Sequence, residues 1–345
     1  MKKSILILGA NGFIGNALVE KLLENDSHEI FGMDLDDSKL DHSLSHPYFH
    51  FVEGDINISN EWIEYHIRKC DVVIPLVAIA TPNVYVKDPL KIFQLDFEAN
   101  LKIIKWVAKY SKRIIFPSTS EVYGMSTDQH FNEYTSNLVV GPVHKSRWIY
   151  SASKQLLDRV IIAYGEKEDL KYTLFRPFNW IGPKLDSLKE AQLGNGRVLT
   201  IFINNLLCNL DIVLVGGGRQ TRCFTYIDDG IKALINIIDD DHRNLNGKIF
   251  NIGNPENDYS IKDLAQLVIK EFEKIKPGEY TGKVVEKTEN EFYGSGYEDI
   301  PVRIPDIKEA KRLLDWKPVV SFEEAVSKTL LSFIDDFERS VRKDL

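Results

Sequence analysis

Tyr150 and Lys154 stand four residues apart in the run Ile149-Tyr150-Ser151-Ala152-Ser153-Lys154. Four residues is about one turn of helix, so both side chains leave the same face. An ammonium beside a phenol favours the phenolate and lowers its pKa. Such a pair takes a proton from a substrate alcohol near neutral pH. The same spacing also occurs by chance on exposed helices, so the chemistry depends on what surrounds the pair.

The surroundings begin at the N-terminus. Ser4-Ile5-Leu6-Ile7-Leu8 is a short apolar run, as expected of a strand buried on both faces. Gly9, Gly12 and Gly15 follow at Gly-x-x-Gly-x-x-Gly spacing, with Phe13 and Ile14 opening an amphipathic stretch to Leu23. Strand, glycine turn and helix in that order form a cradle for a pyrophosphate at a helix N-terminus. A second strand, Glu29 to Met33, ends at Asp34. A carboxylate there accepts hydrogen bonds from ribose hydroxyls and repels a 2′-phosphate, so the expected cofactor is NAD rather than NADP. A third strand, Phe49 to Val52, leads to Asp55 and Ile56, placed to hold an adenine by one polar and one apolar contact.

Alternation continues through the first half. Asp71 to Leu76, Arg113 to Phe116 and Tyr172 to Phe175 read as further strands. Pro89 to Tyr110 reads as one long helix, and Ser151 to Tyr164 as the helix carrying the pair. The expected fold is α/β, a Rossmann-type doubly wound parallel sheet with a smaller C-terminal lobe. Residues 1–178 are expected to bind the cofactor. Residues 179–345 are expected to form mostly a substrate lobe, with some segments returning to the sheet. Thr119, Ser120 and Glu121 follow the fifth strand, at the ligand edge, where a hydroxyl meets a sugar oxygen beside Tyr150. Ser and Thr at that place also serve as helix caps.

The 345 residues carry a net charge of −8, which argues against nucleic acid as a main partner. Cys70, Cys208 and Cys223 are too few and too scattered for a disulfide framework or a metal site, which suits a cytoplasmic protein. No leader is expected ahead of the first strand, and no apolar run approaches the roughly 20 residues that span a bilayer. Arg197, Arg219, Arg222 and Arg303 lie in the loop-rich second half, and guanidinium forks suit phosphates and carboxylates.

Longer strings then carry a resemblance. Phe51-Val52-Glu53-Gly54-Asp55-Ile56, Glu61-Trp62-Ile63-Glu64-Tyr65-His66 and Pro75-Leu76-Val77-Ala78-Ile79-Ala80-Thr81-Pro82 are three of them. Phe175-Arg176-Pro177-Phe178-Asn179-Trp180 and Asn251-Ile252-Gly253-Asn254-Pro255-Glu256-Asn257 are two more. The chain resembles the extended short-chain dehydrogenase/reductase family of nucleotide-sugar enzymes over nearly its whole length. Within that family it is most similar to the UDP-glucuronic acid dehydrogenase/decarboxylase domain of the bifunctional polymyxin-resistance enzymes, with UDP-xylose synthases more distant. The resemblance implies NAD contacts at Asp34, Asp55 and Ile56. It implies UDP-glucuronate contacts at Ala80, Tyr85, Thr119, Ser120, Arg147, Asn179, Tyr297 and the stretch Val213 to Arg222, which includes Gln220. It assigns Glu121 as proton acceptor and Arg303 as donor. The formyltransferase domain that precedes this one in those enzymes is not expected here.

The reaction implied is oxidation at C4 and loss of the carboxylate as carbon dioxide, leaving a UDP-4-keto-pentose, or UDP-xylose if NADH is reused. Related dehydratases carry Thr-Asp-Glu where this chain has Thr119-Ser120-Glu121, and serine is a poor acid for expelling a hydroxyl. The nearest alternative is 4-epimerisation of a UDP-uronate. An NAD-binding regulatory protein on the same fold is the alternative outside enzymes, and the intact Tyr150, Lys154, Thr119 and Glu121 argue against it. Apolar residues on helices 89–110 and 151–164 lead us to expect a homodimer or higher homo-oligomer.

Overall fold

The computed structural model describes residues 2–240, 242, 244–294 and 296–343. Its centre is a seven-stranded sheet. The first six strands are β1 (Lys3–Leu8), β2 (His28–Asp34), β3 (Phe49–Glu53), β4 (Val72–Pro75), β5 (Arg113–Pro117) and β6 (Lys171–Pro177). The seventh, Lys248–Ile252, comes from the second half of the chain and pairs with β6. The order is Lys248–Ile252, β6, β5, β4, β1, β2, β3, and every pairing is parallel. The order reverses between β1 and β4. Ligands of doubly wound sheets bind at such a switch point, outside the carboxyl ends of the strands.

Alternation along β1 explains the layers. Ile5 and Ile7 enter the core on one face of the sheet, Leu6 and Leu8 the core on the other, and all four are buried. The first core also holds the helices Phe13–Leu23, Val198–Leu207, Ile227–Ile238 and Ile261–Ile275, so both halves of the sequence share it. The second core packs the helices Asn60–Lys69, Asn100–Lys109 and Trp148–Glu168. Three two-stranded ladders build the rest: Trp180–Ile181 with Thr225–Tyr226, Thr221–Cys223 with Asp258–Ser260, and Ile212–Val215 with Val284–Lys287.

Two elements differ from the sequence-based expectation. The long helix expected over 89–110 is interrupted: Pro89–Ile92 is α-helical, Phe93–Ala99 is a π-helix, and Asn100–Lys109 is α-helical again. The Asn100 side chain enters the backbone there, its Nδ2 donating to the carbonyls of Leu95 and Asp96 and, across to the sheet, of Val77. A side chain inserted in the ladder is a recognised cause of such a local change. The helix of the tyrosine–lysine pair starts earlier than expected, at Trp148, so Tyr150 lies in its first turn. Among the described residues, no helix is long and apolar enough to cross a membrane, and no group of three or more His, Cys, Asp or Glu side chains is arranged to hold a metal.

Candidate active site

The glycine turn closes tightly on itself. Gly9 has φ +90°, which an L side chain rarely adopts. A Cβ on Gly15 would lie 2.0 Å from the Gly9 carbonyl oxygen, so the first turn of the helix runs against bare backbone. Asp34 ends β2 beside this turn and accepts hydrogen bonds from the backbone N–H of Asn11 (2.8 Å) and of Leu35 (2.8 Å). Burial raises its carboxyl, against those two hydrogen bonds. Asp55 accepts from the Asn57 N–H, and Ile56 is buried beside it. This set fits a dinucleotide with an unphosphorylated ribose: a glycine cradle at a helix N-terminus and a carboxylate at the end of the second strand.

Beyond the end of β5 lies the reacting centre. Thr119 caps the short turn Ser120–Tyr123, its hydroxyl accepting from the Glu121 N–H at 3.2 Å, and it lies near enough to the Tyr150 phenol to favour the phenolate. Tyr150 is buried and stacks on Tyr85, with centroids 4.8 Å apart and planes 11° from parallel. Tyr85, expected as a substrate contact, is itself enclosed and lies against the face of the Tyr150 ring.

The lysine departs from expectation. Lys154 is 1% exposed and its Nζ donates to the Pro117 carbonyl at 3.1 Å. Among the described residues it makes no ion pair with a carboxylate. Burial pushes its ammonium down, while Asp96 and Asp158 oppose that. The phenol of Tyr150 is pushed up by burial and by the charge of Asp96. Enclosure therefore works against the phenolate expected from spacing alone, and burial favours the neutral phenol.

Glu121 is held between two guanidiniums. Its Oε2 accepts from Arg147 Nη2 at 2.9 Å, and its Oε1 pairs with Arg303 Nη1 at 2.6 Å. Burial by itself would raise this carboxyl, but Arg147, Arg303 and Arg222 hold it at about 2. Arg222 is fixed in turn by Asp299 at 2.6 Å and by the carbonyls of Thr221 and Ile300. Arg147 Nε and Nη1 and Arg303 Nε are buried without partners. Buried N–H groups left unpaired are costly, and an anionic ligand is what they accept. Ser120 is buried beside this cluster. Tyr297 packs on Tyr293, with centroids 4.0 Å apart, and its ring faces Arg147.

The other expected substrate residues show less. Asn179 has φ +42°, and its Nδ2 is buried without a partner. A non-glycine residue held in the left-handed region at a strand end marks a site under functional constraint. Ala80 is exposed, Val213 is half-buried on the strand Ile212–Val215, and Gln220 is half-buried just before the strand Thr221–Cys223. Arg197 is forked by Asp186 and lies over the Phe13 ring at 5.1 Å, on the glycine-turn side of the cleft. A cavity of about 470 Å³ opens next to it, lined by Lys39, Ile79, Thr81 and Asp186 among others.

Sequence reasoning missed three carboxylates. Asp299 is the partner of Arg222, and Asp186 the partner of Arg197. Asp96 is 0% exposed, close enough to Lys154 to shift it, and one of its oxygens has no partner. The signal for Asp96 was available: it is an acid on the apolar stripe Ile92, Phe93, Leu95, Phe97.

Comparisons with known proteins agree with this geometry. A profile of the NAD dependent epimerase/dehydratase family matches residues 5–253. The PbgP3 protein of Burkholderia pseudomallei is 45% identical, with 99% of this chain and 98% of that one covered and a TM-score of 0.89. A UDP-glucuronic acid 4-epimerase from Bacillus cereus, solved with UDP-glucuronic acid and NAD, shares the fold at 24% identity, 96% and 99% coverage and a TM-score of 0.78. A dTDP-glucose 4,6-dehydratase from Bacillus anthracis, solved with NAD, shares it at 20% identity, 97% and 98% coverage and a TM-score of 0.79.

Proposed function

The chain belongs to the NAD-dependent epimerase/dehydratase family, of the extended short-chain dehydrogenase/reductase type, and within it we propose that this NAD-dependent sugar-nucleotide enzyme oxidises UDP-glucuronic acid at C4 and decarboxylates it. The observation that carries the reading is the arginine cluster. Arg147 and Arg303 converge on Glu121 directly beyond Thr119 and Tyr150, with three buried N–H positions to spare. A neutral hexose brings no anion to satisfy them, whereas a uronic acid brings one next to the carbon being oxidised.

NAD, when bound, supplies the hydride acceptor and a positive charge that favours the phenolate of Tyr150. Tyr150 then takes the proton of the C4 hydroxyl, and Thr119 orients that hydroxyl. The carbon–hydrogen pair leaves C4 as hydride, so the sugar becomes a 4-ketone with its carboxylate in the β position. The bond to the carboxylate breaks, carbon dioxide departs, and the electron pair passes into an enolate across C4 and C5. Tyr150, now protonated, and Thr119 stabilise the enolate oxygen. Arg303 returns a proton to C5. Burial and the charges of Arg222 and Arg147 make its guanidinium more acidic than usual. Glu121, ionised at any ordinary pH, orders the two arginines. As the product leaves, Arg303 regains a proton from water and Tyr150 releases to water the one it took from the C4 hydroxyl, so the protons balance.

Purified protein with UDP-glucuronate and excess NAD tests this, following NADH absorbance and trapped carbon dioxide. Carbon dioxide with stoichiometric NADH identifies a dehydrogenase/decarboxylase releasing a UDP-4-keto-pentose. Carbon dioxide without net NADH identifies a UDP-xylose-forming enzyme. A changed sugar with no carbon dioxide overturns the reading in favour of 4-epimerisation.

A further inference from the structure

We propose that Asp96 is a positioning residue that holds Lys154 in its charged form beside Tyr150, acting through the lysine from inside the π-helical turn. It rests on Tyr150 and Lys154 as the proton-handling pair, not on decarboxylation.

The argument starts from commitment of charges. Lys154 is enclosed, and its one hydrogen bond goes to a neutral carbonyl. A buried ammonium needs a compensating anion, or it loses its proton. Three carboxylates lie near the pair. Glu121 is taken by Arg147 and Arg303. Asp158 accepts at its Oδ2 from Arg176 at 3.0 Å and from the Ser118 hydroxyl at 2.8 Å, so its charge is paired although its Oδ1 is unpartnered. Of the three, Asp96 is the one without an ion pair among the described residues. Its Oδ2 accepts only the Ile79 N–H, at 3.2 Å, and its Oδ1 is buried and unpartnered.

The backbone is shaped to present it. The π-turn Phe93–Ala99 packs against the helix Trp148–Glu168 and buries Asp96 and Ala99. Asn100 stitches the turn to Val77, and Asp96 stitches it to Ile79, so one device ties the loop before Ala80 to the lysine. The Ile79 N–H donates to Asp96, and the titratable groups its charge acts on are Lys154 and Tyr150 on that helix and Tyr85 on the helix Pro82–Lys87. Asp158 faces Lys154 from one turn further on, and Glu121 and Arg197 act on Tyr150 from across the cleft. Asp96 titrates near 6, raised by burial and lowered by Lys154, so it is mostly ionised at neutral pH.

Asp96 raises both Lys154 and Tyr150. Asp96→Asn should therefore move both down, by roughly one pH unit on the scale of buried interacting charges. The first readout needs no substrate. The side-chain ¹⁵N shift of Lys154, assigned by its loss in Lys154→Arg, is followed against pH. Its midpoint should fall by about one pH unit in Asp96→Asn; an unmoved midpoint overturns the proposal. If Asp96→Asn does not fold, the reciprocal measurement decides. The Asp96 carboxyl ¹³C midpoint should rise in Lys154→Met, and an unchanged value overturns the proposal. The second readout is single-turnover NADH formation with UDP-glucuronate against pH. Both limbs should shift toward acid together in Asp96→Asn, whereas a uniform loss with unmoved limbs would mean a merely structural residue. Should UDP-glucuronate not be oxidised at all, the proposed function fails while the lysine titration still decides the role of Asp96.

Discussion

Replacing Glu121 by Gln should cost stability in a pH-dependent way. The carboxyl falls from its usual 4.5 to about 2 because Arg147, Arg303 and Arg222 overcome its burial. At about 1.4 kcal/mol per pH unit, that displacement is worth about 3 kcal/mol. The folded value is the depressed one, so this stability is present above the unfolded value of 4.5 and is lost as pH falls towards about 2. By about pH 3.5, roughly 1.4 kcal/mol of it has gone. Glu121 is 8% exposed, so little of the effect is screened by water. For 345 residues the unfolding entropy is about 0.7 kcal/mol per kelvin. Glu121→Gln should then melt about 5 °C below wild type at neutral pH, with the gap narrowing to about 3 °C near pH 3.5. Calorimetric melts of both proteins across that range measure it. A gap that stays constant with pH, or that is missing at neutral pH, would refute the charge-clamp reasoning. Saturating UDP-glucuronate should also narrow the gap, because the sugar carboxylate replaces the lost anion between the arginines.

Tyr150→Phe removes one hydroxyl from a stacked, enclosed ring; turnover should fall by about 10²-fold or more while the melting temperature holds, and unchanged turnover would falsify the base role. Gly15→Ala pushes a methyl into the Gly9 carbonyl, which costs about 1–3 kcal/mol, and calorimetric titration should show NAD binding weakened about tenfold or more. In Asp34→Asn the Asn11 N–H keeps an acceptor but the charge is lost. NAD affinity should drop by about tenfold, and the preference for NAD over NADP should shrink in parallel titrations; an unaltered preference would remove Asp34 from the ribose site.

Local pattern carried much of this. The apolar run Ser4 to Leu8 and the glycines after it announce a strand and a phosphate turn because buried parallel strands and tight turns each tolerate few residue types. Asp34 was placed by counting strands, and the helix of Tyr150 and Lys154 by its apolar spacing. The neighbours of those residues were a different matter. Nothing in the spacing of Tyr150 and Lys154 says that the ammonium turns to the Pro117 carbonyl, or that Tyr85 lies flat on the phenol. Arg303 and Arg222 stood out as arginines among apolar neighbours, but their carboxylate partners lie 182 and 77 positions away in the chain.

Sequence alone therefore determined most of the order of strands and helices and the glycine turn after the first strand, because each rests on contacts within a turn or two. Tertiary structure decided the charge states of the groups at the site. Glu121 is anionic because three arginines from distant segments surround it, and the neutral phenol of Tyr150 is favoured because the packed chain excludes water around it. Asp96, an acid without an ion pair among the described residues, is buried on a π-turn into which the Asn100 side chain is inserted. Burial and long-range charge set these states, and neither is a property of a residue together with its chain neighbours.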